Sequence, residues 1–313
     1  VTDWQPASQP ETAAERARLL GRARSYFDSQ NVLEVETPAL VAAPPTDPTI
    51  ESMALENSQQ YLHTSPEFHM KRLLAAGYPD IFSICRVFRG NERGRYHLPE
   101  FTMIEWYRHA FGLAEIIDDS LQLIAHIAGR DAWASQAEIV EYRACFENRL
   151  NLDPLSATIE AFAAAANADA ELQTSIGDDR DTWLDLLMST RIAPSFDPTR
   201  ITVVRHYPAS QAALARVCPG NSELADRFEI YCGPIELANG YVELTNAEEQ
   251  ERRMLQDLEV REARRLPVTP RDDALLAALE SGLPDCAGVA LGFERLHMLL
   301  AGSDSIEKIV SFT

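Results

Sequence analysis

Cysteine is scarce and unpatterned in this chain of 313 residues. Cys85, Cys145, Cys218, Cys232 and Cys286 form no CxxC or CxxH pair, so spacing indicates neither a disulfide framework nor a zinc site. They read as small buried apolar residues. No apolar run approaches the roughly 18–20 residues of a membrane span. The opening residues, VTDWQPASQPETAAER, lack the basic-then-apolar layout of a signal peptide, so a cytoplasmic location is expected. Positive charge is short: 28 Lys and Arg face 48 Asp and Glu, a net charge of −20 at pH 7. That is the wrong sign for gathering a long polyanion over a broad surface, which argues against nucleic acid as a partner. The seven histidines are dispersed, and no His-Ser or Cys-His pairing marks a nucleophile. Repeats and interdomain linkers are also absent.

What is present is a globular composition, 46% hydrophobic, enough for one large or two ordinary domains. Apolar positions such as Ala14, Ala17, Leu20 and Phe27, near helical spacing, predict a helix over Glu11 to Gln30, then a strand over Val32 to Glu36. Pro38, Pro44, Pro45 and Pro48 mark an extended stretch. A short strand is expected near Tyr61 to Thr64, and Pro66 suits the first turn of a helix reaching about Ala76. Residues from about Leu113 to Thr190 are rich in Ala and Leu with few strand signals, and read as a helical insertion. Strands return at Ile201 to His206 and Phe228 to Leu244, followed by helices over about Asn246 to Arg265 and Arg271 to Ser281.

The densest chemistry lies between Asp80 and Tyr107, DIFSICRVFRGNERGRYHLPEFTMIEWY. Period-two alternation puts Cys85, Val87 and Arg89 on one strand face and Phe101, Met103, Glu105 and Tyr107 on one face of the return strand. The loop between, Gly90 to Leu98, carries Glu92, Arg93, Arg95 and His97 and exceeds the roughly 2–5 residues usual in a hairpin. Four further segments stand in order around it: NVLEVETPAL (31–40), TSPEFHMKR (64–72), IELANGYVEL (235–244) and GVALGFERLHMLL (288–300). Together the five resemble the signature motifs of class II aminoacyl-tRNA synthetases, closest to the lysyl type.

The resemblance implies an α+β fold, an antiparallel sheet flanked by helices, with the helical insertion at about 110–200 and motif 1, matched by NVLEVETPAL (31–40), building a homodimer. It implies ATP and Mg²⁺. Activation of an amino acid requires its carboxylate to attack the α-phosphorus in line, so the site must position and neutralise charge. The catalytic residues implied are Arg89, Arg295 and Glu236. Arg89 matches the arginine that contacts the α-phosphate and substrate carboxylate, where a guanidinium fork suits both oxyanions. Arg295, in the first turn of a helix whose dipole opposes it, matches the arginine that packs over adenine. Asn91, Glu92, His97, Leu237 and Gly292 complete the implied nucleotide site. Glu229 and Glu236, on strands joined by a Cys-Gly-Pro turn, match the carboxylate pair that holds the metal.

For the amino acid, the resemblance assigns Glu243 and Tyr107 to the distal amine and Glu67 to the other amino group. Ser65 and Pro66 shape the wall, with Asn239, Tyr241 and Ala290 beside them. Period two aligns Asn239, Tyr241 and Glu243 but places Glu236 on the opposite face unless the chain bulges near Gly240. The competing reading is an Asn-Gly hairpin turn. Two positions depart from the family pattern: Asn91 stands where an acidic residue is usual, with Glu92 one later, and Leu98 replaces an asparagine.

Bacterial lysyl-tRNA synthetases place an anticodon-binding barrel ahead of motif 1, where only about 30 residues precede it here, too few for five strands. A lysyl-type core of this kind resembles the synthetase paralogues that attach (R)-β-lysine to a lysine of translation elongation factor P. That likeness implies elongation factor P as protein substrate, a lysine-like amino acid as co-substrate, and no tRNA. Ala290 stands where lysyl-tRNA synthetases generally have glycine, so a methyl group enters the floor of the site. The alternatives are a short synthetase-like enzyme with another acceptor, or a retired synthetase acting as a regulatory module. Retirement predicts loss of Arg89, Arg295 or the paired carboxylates, and all are present.

Overall fold

The computed structural model describes residues 4–313; the first three residues of the leader lie outside it. The strands are β1 (Leu33–Glu34), β2 (Leu40–Val41), β3 (Tyr61–Leu62), β4 (Ile81–Phe88), β5 (Glu100–His109), β6 (Glu138–Glu141), β7 (Ile201–Pro208), β8 (Leu224–Cys232), β9 (Ile235–Val242) and β10 (Cys286–Gly292). The helices are α1 (Pro10–Ser29), α2 (Glu67–Ala75), α3 (Leu113–Ala128), α4 (Ala132–Ser135), α5 (Tyr142–Leu150), α6 (Ile159–Ala166), α7 (Ala170–Ile176), α8 (Arg180–Leu187), α9 (Ala247–Ala263), α10 (Asp273–Gly282) and α11 (Phe293–Leu300). The fold is α+β. Eight strands form one sheet in the order β1-β4-β5-β10-β9-β8-β7-β6, antiparallel except at its two edges, where β1 lies parallel to β4 and β6 parallel to β7.

Local chemistry sets the helix ends. Pro10 opens α1, where a missing N–H costs nothing. Side-chain oxygens of Thr158, Asp169, Asp179, Asn246 and Asp272 cap α6, α7, α8, α9 and α10. Gly129 closes α3 with a φ of 65°, the left-handed region where a side chain would be strained.

The hairpin β4–β5 pairs Ile81 with Tyr107 through Phe88 with Glu100. Its two faces diverge in chemistry. Phe82, Ile104 and Trp106 join a core with α1 and α3, in which Phe27 stacks on Phe82 at 4.2 Å and the Trp106 indole donates to Asp119 at 3.0 Å. Met103, Glu105 and Tyr107 face the other way, toward a cavity. A second core lies where α5, α6 and α8 pack on β7 and β8, and a third joins α2 and α10.

Three expectations need correction. The strand expected over Val32 to Glu36 shrinks to Leu33–Glu34, because it pairs only with the start of β4 before the chain turns away toward Pro38. The stretch read as a helical insertion is mostly helical, but α3 lies on the central sheet and the β-branched Ile139 and Val140 place β6 at the sheet edge. The bulge in β9 falls at Leu237 rather than Gly240: Ile230 pairs with Ala238 and Tyr231 with Glu236, leaving Leu237 as the extra residue. β9 therefore runs through the Asn-Gly pair without turning, and Glu236 lands on the face of Asn239 and Tyr241.

Candidate functional site

A cavity of about 1000 Å³ opens on the face of the sheet away from α1 and α3. Its floor is β10, where Gly288 pairs with Tyr107 and Tyr241, Ala290 with Glu105 and Asn239, and Gly292 with Met103. At roughly 3.4 Å per residue, Gly288 and Gly292 stand some 13 Å apart. Carboxylates crowd the first end, and arginines join carboxylates at the second.

At the Gly288 end, α2 and the strand ends bring Glu67, Glu105 and Glu243 together. Ser65 Oγ and Tyr107 Oη each donate to Glu105 at 2.8 Å. Tyr241 Oη donates to Glu67 at 2.6 Å. The Lys71 ammonium, one helical turn beyond Glu67, pairs with Glu67 at 2.7 Å and with Glu243 at 2.6 Å, its side chain 2% exposed. Burial pushes the carboxyls of Glu105 and Glu243 up to about 8; Glu67 adds to both shifts, while Lys71 opposes them. Lys71 is raised despite its burial, because Glu243 and Glu67 favour its charged form. Glu243 Oε1 has no hydrogen-bond partner among the described residues. It faces the space above Gly288, where an added Cβ would stand 2.5 Å from that oxygen and closer still to the Tyr107 ring. A buried, unpaired carboxylate oxygen beside a cradle kept clear by glycine is an arrangement made for a cationic ligand.

At the other end, Arg89 follows β4 and Arg295 lies in the first turn of α11. The Arg89 guanidinium packs over Phe101, 5.3 Å from the ring centre, and stands 3.8 Å from Glu92. Its Nε is buried and without a hydrogen-bond partner among the described residues. Arg295 donates to the carbonyls of Tyr96 and Glu236 and to His97 Nε2 at 2.7 Å. Accepting that bond requires a neutral imidazole, and burial together with Arg295 lowers the His97 pKa. The arrangement suits an oxyanion, since guanidinium donors are held in place and incompletely paired.

Glu229 and Glu236 both line the cavity. Glu229 accepts from Arg227 at 2.6 Å, from Tyr207 at 2.7 Å and from Tyr231. Those donors leave about one lone-pair site on that carboxylate. Glu236 is half-buried, with one oxygen 3.4 Å from Arg295 and the other open. Hard carboxylate oxygens in a phosphate-sized cavity fit Mg²⁺, and Glu236 is the readier ligand.

Ser65, Glu67, Glu92, His97, Tyr107, Leu237, Asn239, Tyr241, Ala290 and Gly292 also line the cavity. Two expected residues do not. Asn91, with a φ of 57°, turns its amide to the Glu51 carboxylate and lines a smaller recess with Glu51 and Gly90. Pro66 is buried at the start of α2, behind the wall it was expected to form. Leu98, the other departure, is a buried apolar residue of the main core that also lines the cavity. Sequence reading also passed over Glu105 and Lys71. Glu105 was already on the strand face with Met103 and Tyr107, and the i,i+4 spacing of Glu67 and Lys71 on a helix was a signal for the pair.

Residues 2–313 match the family model described as tRNA synthetases class II (D, K and N). The chain is 43% identical to the elongation factor P–(R)-β-lysine ligase of Klebsiella pneumoniae (strain 342), an alignment covering 99% of this chain and 97% of that protein. The ligase of the same name from Salmonella arizonae is 41% identical over 99% of this chain and 97% of its own length.

Proposed function

We propose, from the premise that this chain belongs to the class II aminoacyl-tRNA synthetases of the aspartyl, lysyl and asparaginyl type, that it is a ligase activating a lysine-like amino acid, (R)-β-lysine, as its adenylate. The aminoacyl group then passes to a lysine side chain of translation elongation factor P. The observation that carries this reading is the polarity of the cavity: acidic groups with an orphaned carboxylate oxygen at one end, incompletely paired arginines at the other. A diamino acid and a nucleoside triphosphate are complementary to those two ends.

In the activation step the substrate carboxylate oxygen attacks the α-phosphorus of ATP, and pyrophosphate leaves. Glu243 and Tyr107 hold the distal ammonium, Glu67 and Glu105 the other. Arg89 holds the α-phosphate and the attacking carboxylate in line and neutralises the charge that builds between them. Arg295, oriented by neutral His97, covers the base and reaches the phosphates. Glu236 and Glu229 would hold Mg²⁺, which neutralises phosphate charge when bound. In the second step an acceptor lysine amine attacks the adenylate carbonyl, loses a proton and expels AMP. Ala290, between Glu105 and Asn239 on the floor, meets the carbon chain and discriminates between α- and β-amino acids. The chain is read as one catalytic unit over 1–313, cytoplasmic and dimeric, with elongation factor P rather than tRNA as acceptor.

The test is ATP–pyrophosphate exchange with lysine isomers and Mg²⁺, followed by mass analysis of elongation factor P and of tRNA charging. Exchange strongest with (R)-β-lysine, abolished by Arg295→Ala, and a mass gain on the protein acceptor are expected. No exchange with any isomer would end the enzyme reading, and efficient tRNA charging without modification of the protein would reassign the acceptor.

A further inference from the structure

At the far edge of the sheet, where β7 and β8 carry the connection 209–223, a donor cluster stands apart from the amino-acid and nucleotide ends. His206 has a φ of 56° at the point where the pairing of β7 with β8 shifts between Arg205 and Tyr207. Such a bulge re-aims the side chain it carries. The imidazole Nδ1 meets Glu141 Oε2 at 2.7 Å, and Nε2 stands 4.0 Å from Asp226 Oδ1. Cys218 Sγ reaches that same oxygen at 3.1 Å. The donor atoms of His206, Cys218 and Asp226 all lie within 4.8 Å of one another, with Asp226 buried and the other two half-buried.

Around a tetrahedral zinc with bonds of about 2.0–2.3 Å, ligand atoms stand roughly 3.3–3.8 Å apart. The Cys218–Asp226 spacing of 3.1 Å is a few tenths of an ångström short of that range, whereas the donors as a set, spread over as much as 4.8 Å, must close by up to about 1 Å around the ion. With Nδ1–H directed at Glu141, the Nε2 lone pair points inward, the carboxylate–histidine relation that orients imidazole ligands to metals. Arg216 Nε donates to Asp226 Oδ2 at 2.7 Å, so Asp226 offers Oδ1 alone. We infer that His206 Nε2, Cys218 Sγ and Asp226 Oδ1 form a zinc site, its fourth position open to water. The two positive charges of the metal meet the Cys218 thiolate and Asp226, while Glu141 is shared between His206 and Arg205, whose Nε donates to it at 2.8 Å.

Binding takes the proton from Cys218 to solvent. In the free protein burial and Asp226 push that thiol up to about 12, and a divalent cation reverses the preference. Imidazole with thiolate selects zinc, whereas the all-oxygen pair Glu229 and Glu236 suits magnesium, so the two sites sort their metals. The ligands come from β7, the 209–223 connection and β8. The ion would therefore fasten the segment whose Ala209, Gln211 and Leu214 wall the cavity. Spacing in the sequence hides the site because the donors converge only through the bulge and the sheet.

The experiment strips the full chain with chelator, adds one equivalent of zinc or cobalt(II) in excess Mg²⁺, and measures metal retained after gel filtration. One zinc per chain, a thiolate-to-cobalt charge-transfer band, and protection of Cys218 from alkylation are expected. Cys218→Ser and His206→Asn should lose the band and lower affinity by more than the roughly tenfold expected for Glu141→Gln, which keeps all three donors. No retained metal, no band, or retention unchanged in folded Cys218→Ser overturns the site. Where His206→Asn does not fold, the cobalt spectrum and alkylation pattern of the wild type decide.

Discussion

At the scale of single residues, the acid end of the cavity is a proton store. Glu105 and Glu243 titrate at about 8 in the free protein because burial disfavours their charged forms. Ammonium groups bind carboxylates, so a diamine must lower both pKa values, and the protons leave as it enters. Binding of (R)-β-lysine at pH 7 should release on the order of two protons, read from calorimetry in buffers of different ionisation heat. KM for the amino acid should fall between pH 7 and 9, below the range where the substrate amine itself titrates at about 10.4. Proton uptake, or a KM flat across that range, would contradict the pairing. Lys71 keeps the balance: Glu67, Glu105 and Glu243 less one internal ammonium leave two negative charges for the two positive charges of a diamine.

At the scale of elements, the floor strand β10 sets the shape of the pocket by what it omits. Gly288→Ala would drive a methyl group into Tyr107 and Glu243. Overpacking of this kind costs about 1–3 kcal/mol, so KM for the amino acid should rise by roughly 5- to 150-fold while ATP binding is nearly unchanged. Steady-state exchange kinetics with separate nucleotide binding would check it, and an unchanged KM would mean that the amino acid lies elsewhere. Much of this element plan was legible. Alternation alone placed Met103, Glu105 and Tyr107 on one face, and ordered motifs located Arg89, Arg295 and Glu243. The bulge at Leu237 was displaced by three residues in sequence reading, because a bulge is decided by pairing with β8 and leaves no local mark. The strand β6 was invisible in an Ala- and Leu-rich stretch, since its four residues gain their structure from β7. Asn91 looked like a ligand by position, but its left-handed turn and its bond to Glu51 depend on a chain segment forty residues earlier.

At the scale of the whole molecule, the proposed dimer makes a demand on the surface. Leu33 is 46% exposed and Leu40 44%, both in the motif 1 segment. Two such segments facing each other across a twofold axis would bury that apolar surface. Sedimentation should give twice the chain mass, and Leu33→Glu with Leu40→Glu should shift the equilibrium toward monomer. A wild type that sediments as a monomer would contradict the interface. No helix of the described residues is long and apolar enough to cross a membrane.

The burial of Lys71 has a consequence for the molecule as its own bystander. A ligase that carries an activated acyl group toward amines also exposes its own amines to it, and Lys71 and Lys308 are the only lysines in the sequence. Lys71 is buried and clamped between two carboxylates, while Lys308 projects into solvent with its side chain 66% exposed. Every other cationic side chain on the surface is arginine or histidine, and guanidinium stays protonated and does not acylate. The protein is thus nearly inert toward the product it makes, and adenylate that escapes finds a single lysine on its maker.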